Sequence, residues 1–96
     1  MSHLRRAARV DANQAEIVAH MREMGACVYL IGMPVDLLVG INCKTALVEV
    51  KDPKSRYGKK GLNPNQQSFK DSWLGGTVCQ VNDVQGATTL IKVMQA

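Results

Sequence analysis

In "ALVEVKD", residues 46–52, an acid and a base, Glu49 and Lys51, interrupt an otherwise apolar run. Side chains alternate along a strand, so Glu49 and Lys51 share one face while Val48 and Val50 take the other. Upstream, Asp36 lies near the start of a second β-rich run. If Asn42-Cys43 is a two-residue turn, Ile41 faces Lys44 and Asp36 falls opposite Glu49, with Cβ atoms about 5 Å apart. A one-residue change in register would weaken the pairing. Two carboxylates that close repel each other unless a shared proton, a cation or a hard metal ion neutralises them. Oxygen-rich sites suit Mg²⁺ or Mn²⁺. A metal held there would bind a phosphodiester oxygen and activate water for hydrolysis, with Lys51 orienting that water or offsetting negative charge. Taken alone, Asp plus E-x-K also describes a surface ion triad, because the tripeptide is common by chance.

Three neighbours bear on that choice. Eight of the twelve basic residues fall in two clusters: Arg5, Arg6 and Arg9 at the N-terminus, and Lys51, Lys54, Arg56, Lys59 and Lys60 directly after the candidate strand. With a net charge of +4, such clustering favours a polyanion, most simply a nucleic-acid backbone; a solvated loop is the plainer alternative. Gln66 shares a helix face with Phe69 and Trp73, which would aim it at the sheet, although it can equally close a capping box with Asn63. Glu16 lies off the apolar stripe of the first helix, flanked by Asn13 and His20 in a polar stripe that a solvated face would explain as well.

The elements that must position these residues follow from pattern and punctuation. Residues 1–10 read as a flexible basic arm and 11–96 as one domain. Asp11 reads as an N-cap with Gln14 closing a capping box; Ile17, Met21 and Met24 form the apolar stripe of the helix, and Gly25 stops it. Residues 27–31 read as a strand, and 35–41 and 45–51 as a hairpin. Residues 52–61 form a loop. Asn63-Pro64 opens a second helix, which Gly75-Gly76 ends. "TVCQV" is a fourth strand, and Asn82 with Gln85 caps a terminal helix marked by Ala87, Ile91 and Met94. The order α-β-β-β-α-β-α predicts an α/β protein with a mixed sheet and helices on its faces.

At 96 residues with four aromatics, the chain supports one small, mostly aliphatic core of a size often supported by a second copy, so a homodimer is expected. Three cysteines without metal-ligand spacing read as buried thiols in a reducing compartment. No segment has the length and apolarity of a membrane span, and no signal peptide is recognised. The expectation is a cytoplasmic protein with no membrane partner.

The chain resembles the PD-(D/E)xK nuclease superfamily, and within it the small phage-type VRR-NUC (virus-type replication–repair nuclease) domains. The matching pieces are "DANQAEIV" (11–18), "GMPVDLLVG" (32–40), "ALVEVKD" (46–52) and "LNPNQ" (62–66), in the family's order and over most of the chain. One departure is Val35, inserted between Pro34 and Asp36 where the family has a Pro-Asp pair. The resemblance implies a restriction-endonuclease-like αβββαβ core plus a C-terminal helix. It implies Asp36, Glu49 and the backbone carbonyl of Val50 as ligands of Mg²⁺ or Mn²⁺, Lys51 as the catalytic lysine, Glu16 as the first-helix acid and a further metal ligand, and Gln66 as the glutamine after the loop. Lys54, Arg56, Lys59, Lys60, Arg5, Arg6 and Arg9 would then contact DNA. The expected activity is a metal-dependent DNA endonuclease of phage or bacterial context, acting on Holliday junctions, flaps or other branched DNA as a homodimer. The alternative is a non-catalytic nucleic-acid-binding module on the same fold.

Overall fold

The computed structural model describes residues 11–54 and 64–96. The elements are α1 (Gln14–Glu23), β1 (Cys27–Leu30), β2 (Leu37–Ile41), β3 (Lys44–Val50), α2 (Pro64–Ser72), β4 (Thr77–Val81) and α3 (Val84–Gln95). This is the predicted order, and the protein is a small α/β fold. The strands form one mixed sheet in the order β1-β2-β3-β4. The first three make an antiparallel meander, and β4 runs parallel to β3, a pairing that needs a crossover, here the chain carrying α2.

Asn42 and Cys43 both have positive φ, 56° and 61°. That is the two-residue turn whose twist suits a tight hairpin. It pairs Ile41 with Lys44 and Leu37 with Val48, which is the register the sequence predicts. The turn is also tied to the end of α3: Asn42 Nδ2 donates to the carbonyls of Met94 and Gln95, and Lys44 Nζ to that of Ala96. These last carbonyls of the helix have no intrahelical partner.

One face of the sheet carries the core. Val28, Leu37, Val39, Ala46, Val48, Val50 and Val81 pack with Ile17, Val18 and Met21 of α1 and Ala87, Ile91 and Met94 of α3. The alternation in β3 is complete on this side, since Ala46, Val48 and Val50 are all buried. Glu49 therefore projects from the opposite face.

Several ends differ from the sequence expectation. Gly25 does close α1, at φ 101°, with Gly25 N and Ala26 N donating to the carbonyls of Arg22 and Met21, a Schellman arrangement that glycine suits. At the start of α1, however, Asn13 is the cap residue and caps nothing with its side chain. Its amide instead donates to the Asn82 carbonyl (2.7 Å) and the Lys51 carbonyl (3.4 Å), and Asp11 is engaged elsewhere, as described below. At α3 the cap is Asp83, not Asn82: Asp83 Oδ1 accepts from Gly86 N at 2.7 Å. The stripe at Asn13 and His20 is not simply solvated, for His20 Nε2 meets Thr88 Oγ1 at 2.6 Å. Along α2 no residue is buried. Phe69 and Trp73 stack on each other instead, with ring centroids 5.2 Å apart, and Trp73 is left 42 % exposed. Among the described residues, no helix is long and apolar enough to cross a membrane.

Candidate active site

Asp36 is the last residue before β2. Its carbonyl accepts from Ile31 N (2.9 Å) and Gly32 N (3.2 Å), which closes the turn between β1 and β2 and fixes the backbone. Its side chain then reaches across the hairpin: Oδ2 accepts from Val50 N at 2.8 Å. Val35, the residue that departs from the usual Pro-Asp pair, is buried, and Asp36 still falls opposite Glu49 when the β2–β3 register is extended by one step.

Glu49 is the only buried charged side chain among the described residues, at 4 % exposure. Lys51 Nζ stands 3.5 Å from Glu49 Oε2, and Gln66 Nε2 donates to the same oxygen. Glu49 Oε1 is buried with no hydrogen-bond partner. Burial, reinforced by repulsion from Asp36 and only partly offset by Lys51, pushes the Glu49 carboxyl up to about 7. Burial also raises Asp36, against the Val50 N–H that stabilises its anion. Two acids held above the ordinary carboxylate range resist carrying both charges in the absence of a cation.

Asp11 enters the same neighbourhood. Its Oδ2 accepts from Asp52 N at 3.1 Å, pinning the chain directly after Lys51, and its charge raises Asp36 further. Asp52 Oδ1 in turn accepts from Lys54 N, an Asx turn that starts the basic segment. The sequence places Asp11 as a helix cap; the only hint of another role is its position just ahead of a helix that already has Asn13. Glu16, the first-helix acid expected at the site, is exposed on α1, and no hydrogen bond or ion pair draws it to Asp36 or Glu49. Lys54 is exposed. Arg5, Arg6, Arg9, Arg56, Lys59, Lys60 and the proposed cap Asn63 lie outside the described residues.

The donor set fits a hard divalent cation in part. An orphaned buried carboxylate oxygen beside a second acid is a suitable pair of oxygen ligands. In an extended strand the N–H and C=O of one residue point to the same edge, so Val50, whose N–H meets Asp36, turns its carbonyl toward Asp36 as well. Among the described residues no group of three or more His, Cys, Asp or Glu side chains could hold a metal. A cation here would rely on the two carboxylates, the Val50 carbonyl and water, which suits Mg²⁺, an ion that dehydrates reluctantly.

Beyond Gln66, α2 and β4 enclose a small pocket lined in part by Val35, Glu49, Gln66, Lys70, Val78 and Cys79. No family model matches the chain, and neither a curated protein nor a solved structure matches it.

Proposed function

We propose that the protein is a metal-dependent DNA endonuclease that hydrolyses phosphodiester bonds and selects branched DNA such as Holliday junctions or flaps, in phage or bacterial replication, recombination or repair. One observation above all supports it: Asp36, Glu49 and Lys51 converge at the end of β3, with Gln66 over Glu49 and the basic segment beginning at the next turn.

In this scheme Asp36, Glu49 and the Val50 carbonyl hold Mg²⁺ or Mn²⁺, which when bound supplies positive charge at the scissile phosphate. Gln66 fixes the Glu49 rotamer through Oε2 and leaves Oε1 for the ion. Lys51 favours the ionised form of Glu49, as its proximity requires, and presents a cation where negative charge develops. Asp11 holds the chain after Lys51 in place, and Glu16, exposed on α1, has the lesser part. Lys54 and the basic residues that follow it attract the DNA backbone.

The test is direct. Four-way junctions, flaps and linear duplex are incubated with purified protein in Mg²⁺ or Mn²⁺, beside a Glu49→Ala control. Cleavage of a branched substrate by the wild type alone is expected; equal cleavage by both proteins on every substrate overturns the assignment. We also propose a homodimer, which cutting two strands symmetrically would use. Exposed apolar side chains at Tyr29, Leu30 and Met33 are consistent with a covered surface. A monomer mass by light scattering at assay concentration removes that part of the proposal.

A further inference from the structure

We propose that Lys70 is a phosphate-binding residue of this site, taking the DNA backbone on the α2 side of Glu49. This assignment rests on the nuclease reading above and adds a contact which neither the sequence pattern nor the family motif supplies.

Lys70 lies four residues beyond Gln66 on α2, so the two side chains leave the same face of the helix. That face is fixed in direction, because Gln66 is bonded to Glu49. Lys70 accordingly lines the pocket that Glu49 and Gln66 share, and its charge reaches across to β4, where it opposes the upward shift that burial imposes on the Cys79 thiol.

The two lysines flanking Glu49 differ in what they are free to do. Lys51 is committed to Glu49, and that pair is the only ion pair among the described residues. Lys70 makes none with a described residue. Its neighbour Asp71 is occupied by Gln67 at 2.8 Å. A cation on the helix face that lines the Glu49 pocket, in no ion pair with a described residue, is available to an external anion. A DNA strand approaching two carboxylates needs such a charge, since those acids repel it.

The probes are a labelled four-way junction and a labelled flap, with binding followed by anisotropy in Ca²⁺ over a range of KCl and cleavage followed in Mg²⁺. Lys70→Gln is expected to bind both probes several-fold more weakly. The slope of log affinity against log salt should fall by about 0.7–0.9, the loss of one phosphate contact. Turnover at saturating DNA should be nearly unchanged, because uniform binding has been lost, and Lys70→Arg should restore affinity. Unchanged affinity and slope in Lys70→Gln, with a wild type that cuts, overturn the Lys70 assignment and leave the nuclease reading standing. A fall in turnover with an unchanged slope overturns it equally, as the mark of a structural role. A wild type that binds but cuts neither probe, with the slope still reduced in Lys70→Gln, sinks the nuclease reading and keeps the phosphate contact.

Discussion

Glu49 carries a linked consequence for stability. Its carboxyl rises from an ordinary 4.5 to about 7 on folding, so the folded protein binds that proton more tightly than the unfolded chain. The contribution is complete below pH 4.5 and is lost as pH rises through 7. Asp36 shifts in the same direction. Thermal melts in EDTA should therefore show stability falling between about pH 5 and pH 8, by something on the order of 1–3 kcal/mol. Glu49→Gln should flatten that profile, and Mn²⁺ should raise the alkaline melting temperature of the wild type but not of the variant. A variant as pH-sensitive as the wild type would show that Glu49 is not the titrating group. Asp11 supports a separate expectation at this scale. Its carboxylate holds Asp52 N, so Asp11→Ala should slow cleavage by about tenfold, a loss of about 1.4 kcal/mol of positioning, while Asp11→Asn keeps an acceptor and most of the activity. Glu16→Ala should cost less than Asp11→Ala, and the reverse ranking in single-turnover assays would restore Glu16 to the site.

At the scale of elements, the ends of the helices depend on which side chain reaches the free N–H groups. Asp83 caps α3 through Gly86 N, whereas Asn82 gives its carbonyl to Asn13 and its side-chain oxygen to Gln80. Asp83→Ala should destabilise the protein by about 1 kcal/mol in urea titrations, and Asn82→Ala by distinctly less. Both should cleave normally below their melting range, because neither touches Asp36, Glu49 or Lys51. Equal losses in the two variants would return the cap to Asn82. The helix α2 is held differently, with no buried residue of its own and with Gln66 as its hydrogen bond to the β3 carboxylate.

Across the whole molecule the sheet separates two tasks. One face packs on α1 and α3 and supplies the apolar core; the other presents Glu49 to α2. Ile91, fully buried on α3, lies on the core side. Ile91→Ala should cost about 2–5 kcal/mol yet leave cleavage at 20 °C little changed in the fraction that stays folded, as normalised by circular dichroism. A catalytic loss in folded Ile91→Ala would mean that the two faces are coupled through the sheet. The aliphatic core among the described residues follows from length and composition, since a chain of this size buries one core.

The element order, the cofacial placement of Glu49 and Lys51, and the approach of Asp36 were all determined by the sequence alone. Each rests on a local rule: strand alternation has a period of two, and Asn42-Cys43 forms a two-residue turn that sets the register. What only the tertiary structure decided are partnerships between distant segments. The Asp11 side chain serves Asp52 rather than α1, Asn13 bridges to Asn82, and Asp83 displaces Asn82 as a cap, because a short polar side chain satisfies whichever N–H or carbonyl the folded chain brings to it. The aromatics of α2 stack on each other, since periodicity defines a helix face but not what lies opposite it. The contact of Gln66 with Glu49 and the place of Lys70 in the same pocket arise in the same way: both depend on where the fold sets α2, which no local spacing encodes.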